Sequence, residues 1–173
     1  MTSSRKLITR RPHPAYIPAL GWLGVGCLAI SLVLAQATHA GEAPRPQLKL
    51  ENLEIVTSSG THVFSVEVMR TDQQRERGLM FRRFLPQDQG MVFGFEAERP
   101  LMMWMKNTYL PLDMIFIGRS GKVTGLAENT EPLSEEIIPS GAPAYAVLEV
   151  NAGTAGRIGL RIGDMVRHPL FGR

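Results

Sequence analysis

The chain has 173 residues, with 19 lysines and arginines against 16 acidic residues and a single cysteine. Four of the cations and none of the acids precede residue 41, which leaves 15 basic and 16 acidic residues in the rest of the chain. That near-neutral balance argues against a nucleic-acid-binding protein, which needs a basic surface. Because the cysteine is residue 27, the chain beyond residue 40 has neither disulfides nor thiol chemistry.

The first 40 residues have the three-part layout of a secretory signal peptide. A basic start is followed by an uncharged run, Ala19 to Ala35, and by small-residue sites that end at Ala37 or Ala40. The layout predicts a cleavable signal over residues 1–40 and export to the periplasm or cell envelope. The alternative is that the segment is retained as an anchor, which would attach the protein to a membrane. The uncharged run is, however, shorter than the roughly 20 apolar residues that a membrane-spanning helix needs. A lipoprotein attached at Cys27 is disfavoured, since the apolar run continues to Leu34.

The remaining chain has the size of one domain. Residues 41–47 contain two prolines and are predicted to be a linker. We expect a single β-rich domain over residues 48–168, followed by a short tail over residues 169–173.

The domain begins with a pattern typical of a β-hairpin. Leu48 to Val56 and His62 to Met69 alternate apolar and polar residues on either side of a glycine-containing turn. Thr71 then has the features of a helix N-cap, because Gln74 completes a capping box and Gly78 is placed to end the helix.

Short apolar segments separated by glycine and proline continue to the end of the domain. They predict strands at Met91–Phe95, Leu101–Met105, Leu112–Ile117, Val123–Ala127, Tyr145–Val150 and Asp164–Arg167. One more helical turn is expected at Thr154–Leu160. Many short strands with few helices indicate a mainly β fold, a single small jelly-roll-like sandwich or barrel with one or two short helices.

Six ordered motifs in this domain resemble the exported domain-of-unknown-function family 192. The resemblance covers residues 50–166. Its motifs are R-G-L-M at Arg77–Met80, G-M-V-F at Gly90–Phe93, W-M-K-N-T at Trp104–Thr108, P-L-D at Pro111–Asp113, V-L-E-V at Val147–Val150 and G-D at Gly163–Asp164. The resemblance implies a compact, mainly β, often secreted domain. It implies no activity and no set of functional residues.

The block from Leu101 to Ile117 is the most informative, because polar groups interrupt an apolar, strand-like run. Strand alternation places Trp104 and Lys106 on one face. In the next strand it places Asp113 on the same face as Ile115 and Ile117, and the residues between them on the opposite face. A tight connection would bring Lys106 close to Asp113. A functional interpretation is a small pocket in which an anionic or sugar-like ligand contacts Trp104, Lys106, Asn107 and Asp113. A structural interpretation has Asp113 accept backbone N–H bonds or pair with Lys106, while Asn107 caps the turn.

Methionines in the same block suggest a second hypothesis. Met102, Met103 and Met105 carry thioethers, which suit Cu(I), so they suggest an exported copper carrier. However, alternation places Met102 on the opposite face from the other two, and methionine is also a common core residue. No resident cofactor is expected.

A hydrolase is the third hypothesis, with Asp113 and Glu149 as its carboxylates. Glu149 shares a strand face with Val147, so burial of that face would raise its pKa toward a catalytic range. The alternative is an ion pair with an arginine, for which the candidates are Arg77, Arg82 and Arg157. The motifs of serine hydrolases, zinc proteases and nucleotide-binding proteins do not occur in the sequence. We therefore expect a non-enzymatic small-ligand-binding or accessory module.

Overall fold

The computed structural model describes residues 48–172. The predicted signal peptide and linker fall outside this range, as does the last residue, so the expected export stays a prediction. Within the described range, no helix has the length and hydrophobicity needed to cross a membrane.

The described residues form nine strands and two short helices, which confirms the mainly β prediction. In chain order they are β1 (Leu50–Thr57), β2 (Gly60–Met69), α1 (Asp72–Arg77), β3 (Gln89–Arg99), β4 (Met102–Met103), β5 (Leu112–Ile117), β6 (Val123–Thr130), β7 (Ile138–Pro139), β8 (Ala144–Asn151), α2 (Thr154–Ile158) and β9 (Met165–Arg167). The capping box of α1 is present. Thr71 Oγ1 accepts from Gln74 N at 3.2 Å, and Gln74 Oε1 accepts from Thr71 N at 3.0 Å.

Seven strands form one curled sheet in the order β6-β5-β8-β3-β2-β1-β9. The predicted hairpin of β1 and β2 is confirmed, whereas β2 and β3 are parallel and are connected through α1. The two edge strands meet at one end of the sheet, where Lys122 forms a bridge with Met165 and Val123 N donates to Asp164 O at 2.9 Å. The sheet is therefore a small, partly closed barrel.

Each face of the sheet has its own hydrophobic core. The inner core includes Ile115 and Ile117 of β5 together with Leu148 of β8, and α2 packs against it. The outer core includes Met114 and Phe116 of β5 and is covered by residues of the segments after α1 and before β5. The alternation predicted for β5 is confirmed, because successive residues enter opposite cores.

Two predicted boundaries differ from the structure. The expected strand over residues 101–105 is reduced to β4, which pairs only with β7. Beyond it, Met105 N donates to Ser134 O at 3.0 Å, in a loop rather than in a strand. At the other end of the domain, Leu170 and Phe171 pack against the inner core, so the packed structure continues past His168.

Candidate functional site

Asp113 lies at the start of β5 and is completely buried on the inner face. Its Oδ1 accepts from the backbone N–H groups of Asn129 at 2.8 Å and Gly153 at 3.2 Å. Its Oδ2 accepts from Ala155 N at 2.8 Å. The predicted acceptance of backbone N–H bonds is confirmed, although the donors come from β6 and from the start of α2 rather than from the neighbouring turn.

Lys106 is on the surface, and its predicted pairing with Asp113 is wrong. Its Nζ lies 3.6 Å from Glu135 Oε2 and 5.4 Å from the ring centroid of Trp104. Asp113 faces the barrel interior and is held there by backbone donors, so the two side chains cannot meet. Three of the four predicted site residues, Trp104, Lys106 and Asn107, therefore share one surface turn, whereas Asp113 is buried inside the barrel.

That turn runs from Trp104 to Thr108 and is fixed by backbone hydrogen bonds. Thr108 N donates to Met105 O at 3.0 Å, and Thr108 Oγ1 donates to Lys106 O at 3.2 Å. Asn107 has a left-handed conformation, with φ of 55°, which asparagine tolerates better than most residues. The indole of Trp104 is 47 % exposed on this fixed turn.

Two bulky residues in left-handed conformations flank the turn. Phe81 has φ of 63° and donates its N–H to Asn107 O at 2.8 Å. Leu133 has φ of 65° and donates its N–H to Thr108 O at 3.0 Å. Such conformations cost about 1–3 kcal/mol each and are concentrated at binding sites. Neither was predicted, because no sequence pattern marks a phenylalanine or leucine for positive φ.

We use the term Trp104 surface for the exposed apolar side chains on this turn, next to it in the chain, or on the two residues whose N–H groups bond to it. They are Phe81, Met102, Trp104, Tyr109 and Leu133. The rings of Phe81 and Tyr109 make an edge contact with centroids 6.3 Å apart. Several large apolar side chains at one place on a surface are typical of an interaction site.

The three methionines of the copper hypothesis do not converge. Met102 is exposed, Met103 is half-buried and Met105 is completely buried. The Met105 thioether also accepts a hydrogen bond from Thr130 Oγ1 at 3.2 Å. Within residues 48–172, no three histidine, cysteine or acidic side chains come together as a metal site either.

Glu149 is buried on the outer face of β8, with 5 % of its surface exposed. Burial raises its pKa from an ordinary value of 4.5 to about 8, as expected for a carboxyl on an apolar strand face. Burial is the cause of this shift and no arginine charge opposes it, so the predicted ion pair with an arginine is not seen among the described residues. Arg82 instead pairs with Glu67, with both N–O distances at 2.6 Å, and Arg157 donates to Gln87.

Asp113 and Glu149 do not form the carboxylate pair of the hydrolase hypothesis. They are on neighbouring strands, but the register aligns Asp113 with Val150 and Glu149 with Met114. The two carboxyls therefore point to opposite faces of the sheet, and one substrate cannot contact both.

A separate open groove lies beside the start of β2 and has a volume of about 570 Å³. It is lined by Thr61, His62, Val63, Phe64, Gln87, Asp88, Arg157 and Ile158. Its polar groups bond to nearby residues: Arg157 donates to Gln87 at 3.1 Å, and His62 Nε2 lies 3.0 Å from Ser59 Oγ. None of the predicted site residues line this groove.

Solved structures similar to this fold include the following two proteins. A Sinorhizobium meliloti protein, described provisionally as a transcription regulator, is 47% identical with a TM-score of 0.69, and the match covers 72% of this chain and 97% of that one. A protein of unknown function from Novosphingobium aromaticivorans is 38% identical with a TM-score of 0.70, covering 72% of this chain and 89% of that one. No curated protein matches the chain.

The family comparison agrees with the motifs. The model of domain-of-unknown-function family 192, described as an uncharacterised ACR family, matches residues 54–168. This range is well over half of the chain and contains both Asp113 and Glu149. The chain therefore belongs to the domain-of-unknown-function family 192.

Proposed function

We propose that this protein is an exported, non-enzymatic binding module that holds a neutral, sugar-like ligand on the indole of Trp104. The proposal rests on the half-exposed indole of Trp104, which lies on a turn fixed by hydrogen bonds. Phe81 and Leu133 flank this turn in strained conformations. A rigid aromatic face loses little entropy when it binds a ligand. The signal-like layout of residues 1–40 supports export.

Binding is favoured over catalysis because one substrate cannot contact both of the buried carboxyls, those of Asp113 and Glu149. Both oxygens of Asp113 accept backbone hydrogen bonds that hold α2 on the barrel. Glu149 is on the opposite face and is enclosed by apolar residues. General acid–base catalysis needs groups within reach of the same substrate atoms.

The charges near Trp104 favour a neutral ligand over an anionic one. Lys106 is already paired with Glu135, and the same loop carries Glu131 and Glu136. A bound anion would compete with these carboxylates for one ammonium group. A polyhydroxylated ring avoids this conflict, because its apolar face can stack on the indole while its hydroxyls bond to both Lys106 and Glu135.

Nucleic-acid binding, which the description of the Sinorhizobium meliloti relative would suggest, is less compatible with the charge of this domain. Residues 48–172 contain 13 lysines and arginines against 15 acidic residues. Affinity for nucleic acid depends mainly on neutralising phosphates with cations. The charge of this domain therefore argues against nucleic-acid binding.

The chain offers a direct spectroscopic test. Its two tryptophans are Trp22 and Trp104, so Trp22→Phe leaves Trp104 as the source of indole fluorescence. We expect a saturable change in emission with neutral oligosaccharides, using N-acetylglucosamine oligomers and maltooligosaccharides as probes. Inorganic phosphate should produce none.

Variants then separate ligand binding from folding. Lys106→Ala should weaken stabilisation by the oligosaccharide in a thermal-shift measurement while the melting temperature without ligand stays nearly unchanged. Ile162→Ala, at an exposed position outside the Trp104 surface, is the matched control. A response to phosphate but to none of the saccharides, or equal responses in the Lys106 variant and the control, would contradict the proposal.

A further inference from the structure

The start of β2 has a free edge on the side of β3. The parallel ladder between the two strands begins at Ser65 and Gln89, so the residues of β2 before Ser65 lie beyond it. The chain turns just before β3, where Gln89 N donates to Pro86 O at 3.1 Å. On its other side the same segment of β2 is paired with β1 without a shift in register.

Thr61 and Val63 direct their backbone groups towards this free edge. Ser65 N donates to Asp88 O at 2.9 Å, so the β3 side of β2 carries the N–H and C=O groups of Ser65 and of every second residue before it. Within residues 48–172, no backbone group bonds to those of Thr61 or Val63 on this side. Unpaired donors and acceptors along a strand edge are a template for an added strand.

The open groove of about 570 Å³ lies along this edge. Its lining consists of residues 61–64 of β2 and of a second group from the turn before β3 and from α2, namely Gln87, Asp88, Arg157 and Ile158. Arg157 donates to Gln87 Oε1 at 3.1 Å, so the second group forms one continuous wall. A groove between a strand edge and a wall accommodates one extended chain, whereas the walls of two copies would keep their β2 edges apart.

The sequence of the free edge favours pairing. Exposed strand edges are usually protected by lysine, proline or a bulge. The segment from Thr61 to Phe64 has none of these, and Val63 is 55 % exposed. Threonine, valine and phenylalanine are residue types enriched in strands, so an added strand would meet a compatible neighbour.

Arg157 gives the groove a cation without an acidic partner. Its guanidinium donates to two neutral acceptors, Gln87 Oε1 at 3.1 Å and Thr154 Oγ1 at 3.4 Å, and the acidic side chains of the described part of the chain form no ion pair with it. Asp88, the acid in the lining, lies beside Ser65. A carboxylate in the groove is therefore favoured near Arg157 rather than near Ser65.

We propose that this edge binds an extended, acidic peptide segment of a partner protein, which joins the sheet as a strand beside β2. Backbone hydrogen bonds to Thr61 and Val63 supply the affinity, and an acidic side chain of the peptide pairs with Arg157. A strand rises about 3.3 Å per residue, so residues 61–64 match roughly four residues of the peptide. The groove shares no residue with the Trp104 surface, so this site is independent of saccharide binding.

The test measures fluorescence anisotropy of a labelled peptide titrated with the full chain. The probe is a short, acetylated and amidated peptide in which valine and threonine alternate around one glutamate. We expect saturable binding. Exchange of the glutamate for glutamine should weaken binding about threefold, as for an exposed ion pair. With Arg157→Gln, the two peptides should bind equally.

Two N-methylated versions of the probe locate its hydrogen bonds. Successive N–H groups of a strand point to opposite sides, so methyl groups on one alternate set of amides should weaken binding about tenfold, while the other set leaves binding unchanged. Hydrogen–deuterium exchange is a second readout. The amides of Thr61 and Val63 should exchange more slowly with the peptide bound, whereas the amide of His62, which faces β1, should change little.

A proline substitution tests the edge from the side of the protein. Val63→Pro removes an N–H that has no partner among the described residues, and proline is tolerated at a free strand edge, so the chain should fold while binding weakens about tenfold. Val63→Thr keeps the N–H and the branched side chain, and this matched control should bind as the parent does. Thermal unfolding shows whether each variant folds; if Val63→Pro does not, the N-methylated peptides still decide the question with the parent chain.

Three results of the binding experiments would overturn the proposal. They are the absence of saturable binding at millimolar concentrations, equal binding of the two N-methylated peptides, and a loss of binding in Val63→Thr as large as in Val63→Pro. Sedimentation provides a fourth. A parent chain that is dimeric and becomes monomeric with Val63→Pro would show that the edge pairs with a second copy instead of a partner's peptide.

Discussion

The carboxylate of Asp113 accepts a hydrogen bond from the backbone N–H of Ala155 at 2.8 Å, across 42 residues of sequence. The N-cap of α2 is Gly153, which has no side chain to bond the first N–H groups of the helix. Asp113 supplies that acceptor from β5 and also binds Gly153 N. A carboxylate on a distant strand thus caps α2 and attaches it to the barrel.

Replacement of Asp113 should therefore destabilise the fold. Asp113→Asn keeps the shape but loses the charge and one acceptor, so we expect the free energy of unfolding to fall by about 1–3 kcal/mol in urea titrations. Asp164→Asn is the control, since its carboxylate accepts from Arg161 N within an exposed turn. Equal unfolding midpoints for the two variants would contradict a structural role of Asp113.

The raised pKa of Glu149 predicts a pH-dependent stability. The folded protein holds the proton up to a pH of about 8, whereas the unfolded chain loses it near 4.5. The stabilisation from protonated Glu149 is therefore complete below pH 4.5 and is lost as the pH rises to about 8. Over this range the free energy of unfolding falls by up to ~1.4 kcal/mol per pH unit.

Glu149→Gln isolates this effect, because a neutral amide has no proton to lose. The free energy of unfolding of the parent relative to the variant should fall between pH 5 and pH 9 in urea titrations. A difference that stays constant over this range would show that the carboxyl is not buried in an apolar environment.

Strain at Leu133 predicts that its replacement can stabilise the protein. Leu133→Asn places a residue that tolerates positive φ where a bulky one is strained, so we expect the free energy of unfolding to rise by about 0.5–1 kcal/mol. Ile137→Asn is the matched control, because Ile137 is similarly exposed in the same loop without a positive φ. A stabilisation of equal size in both variants would point to lost surface hydrophobicity rather than relieved strain.

The ion pair of Arg82 and Glu67 should be sensitive even to a conservative change. The guanidinium bonds both carboxylate oxygens at 2.6 Å in a partly buried position, which a lysine cannot reproduce. We expect Arg82→Lys to lower the free energy of unfolding by about 1–2 kcal/mol. Arg70→Lys, which alters the more exposed pair with Glu51, should have a smaller effect.

Much of the fold could be predicted because its signals are local. The alternation of β5 predicted which of its residues enter each core, and the Thr71 and Gln74 pattern predicted the start of α1. Alternation in β8 placed Glu149 on the face of Val147, and the structure shows that this face is buried. The two-residue strand β7 was not predicted, and β4 was predicted as a longer strand, because so short a segment contains no periodic pattern.

The candidate site was predictable only in part. Trp104, Lys106 and Asn107 are close together because they are neighbours in sequence. The partner of Lys106 is Glu135, which lies in a loop whose position no local pattern predicts. The left-handed conformations of Phe81 and Leu133 also depend on hydrogen bonds to a distant turn.

The sequence by itself determined the near-neutral charge of the domain, the period of two that makes strands, and the residues that face the core. Only the tertiary structure decided that β2 and β3 are parallel, that Asp113 caps a distant helix, and that Glu149 lies between Met91 and Met114. Alternation specifies the face of a strand on which a side chain lies, but not which strands become neighbours or in which register. Those choices depend on packing between segments that are far apart in the chain.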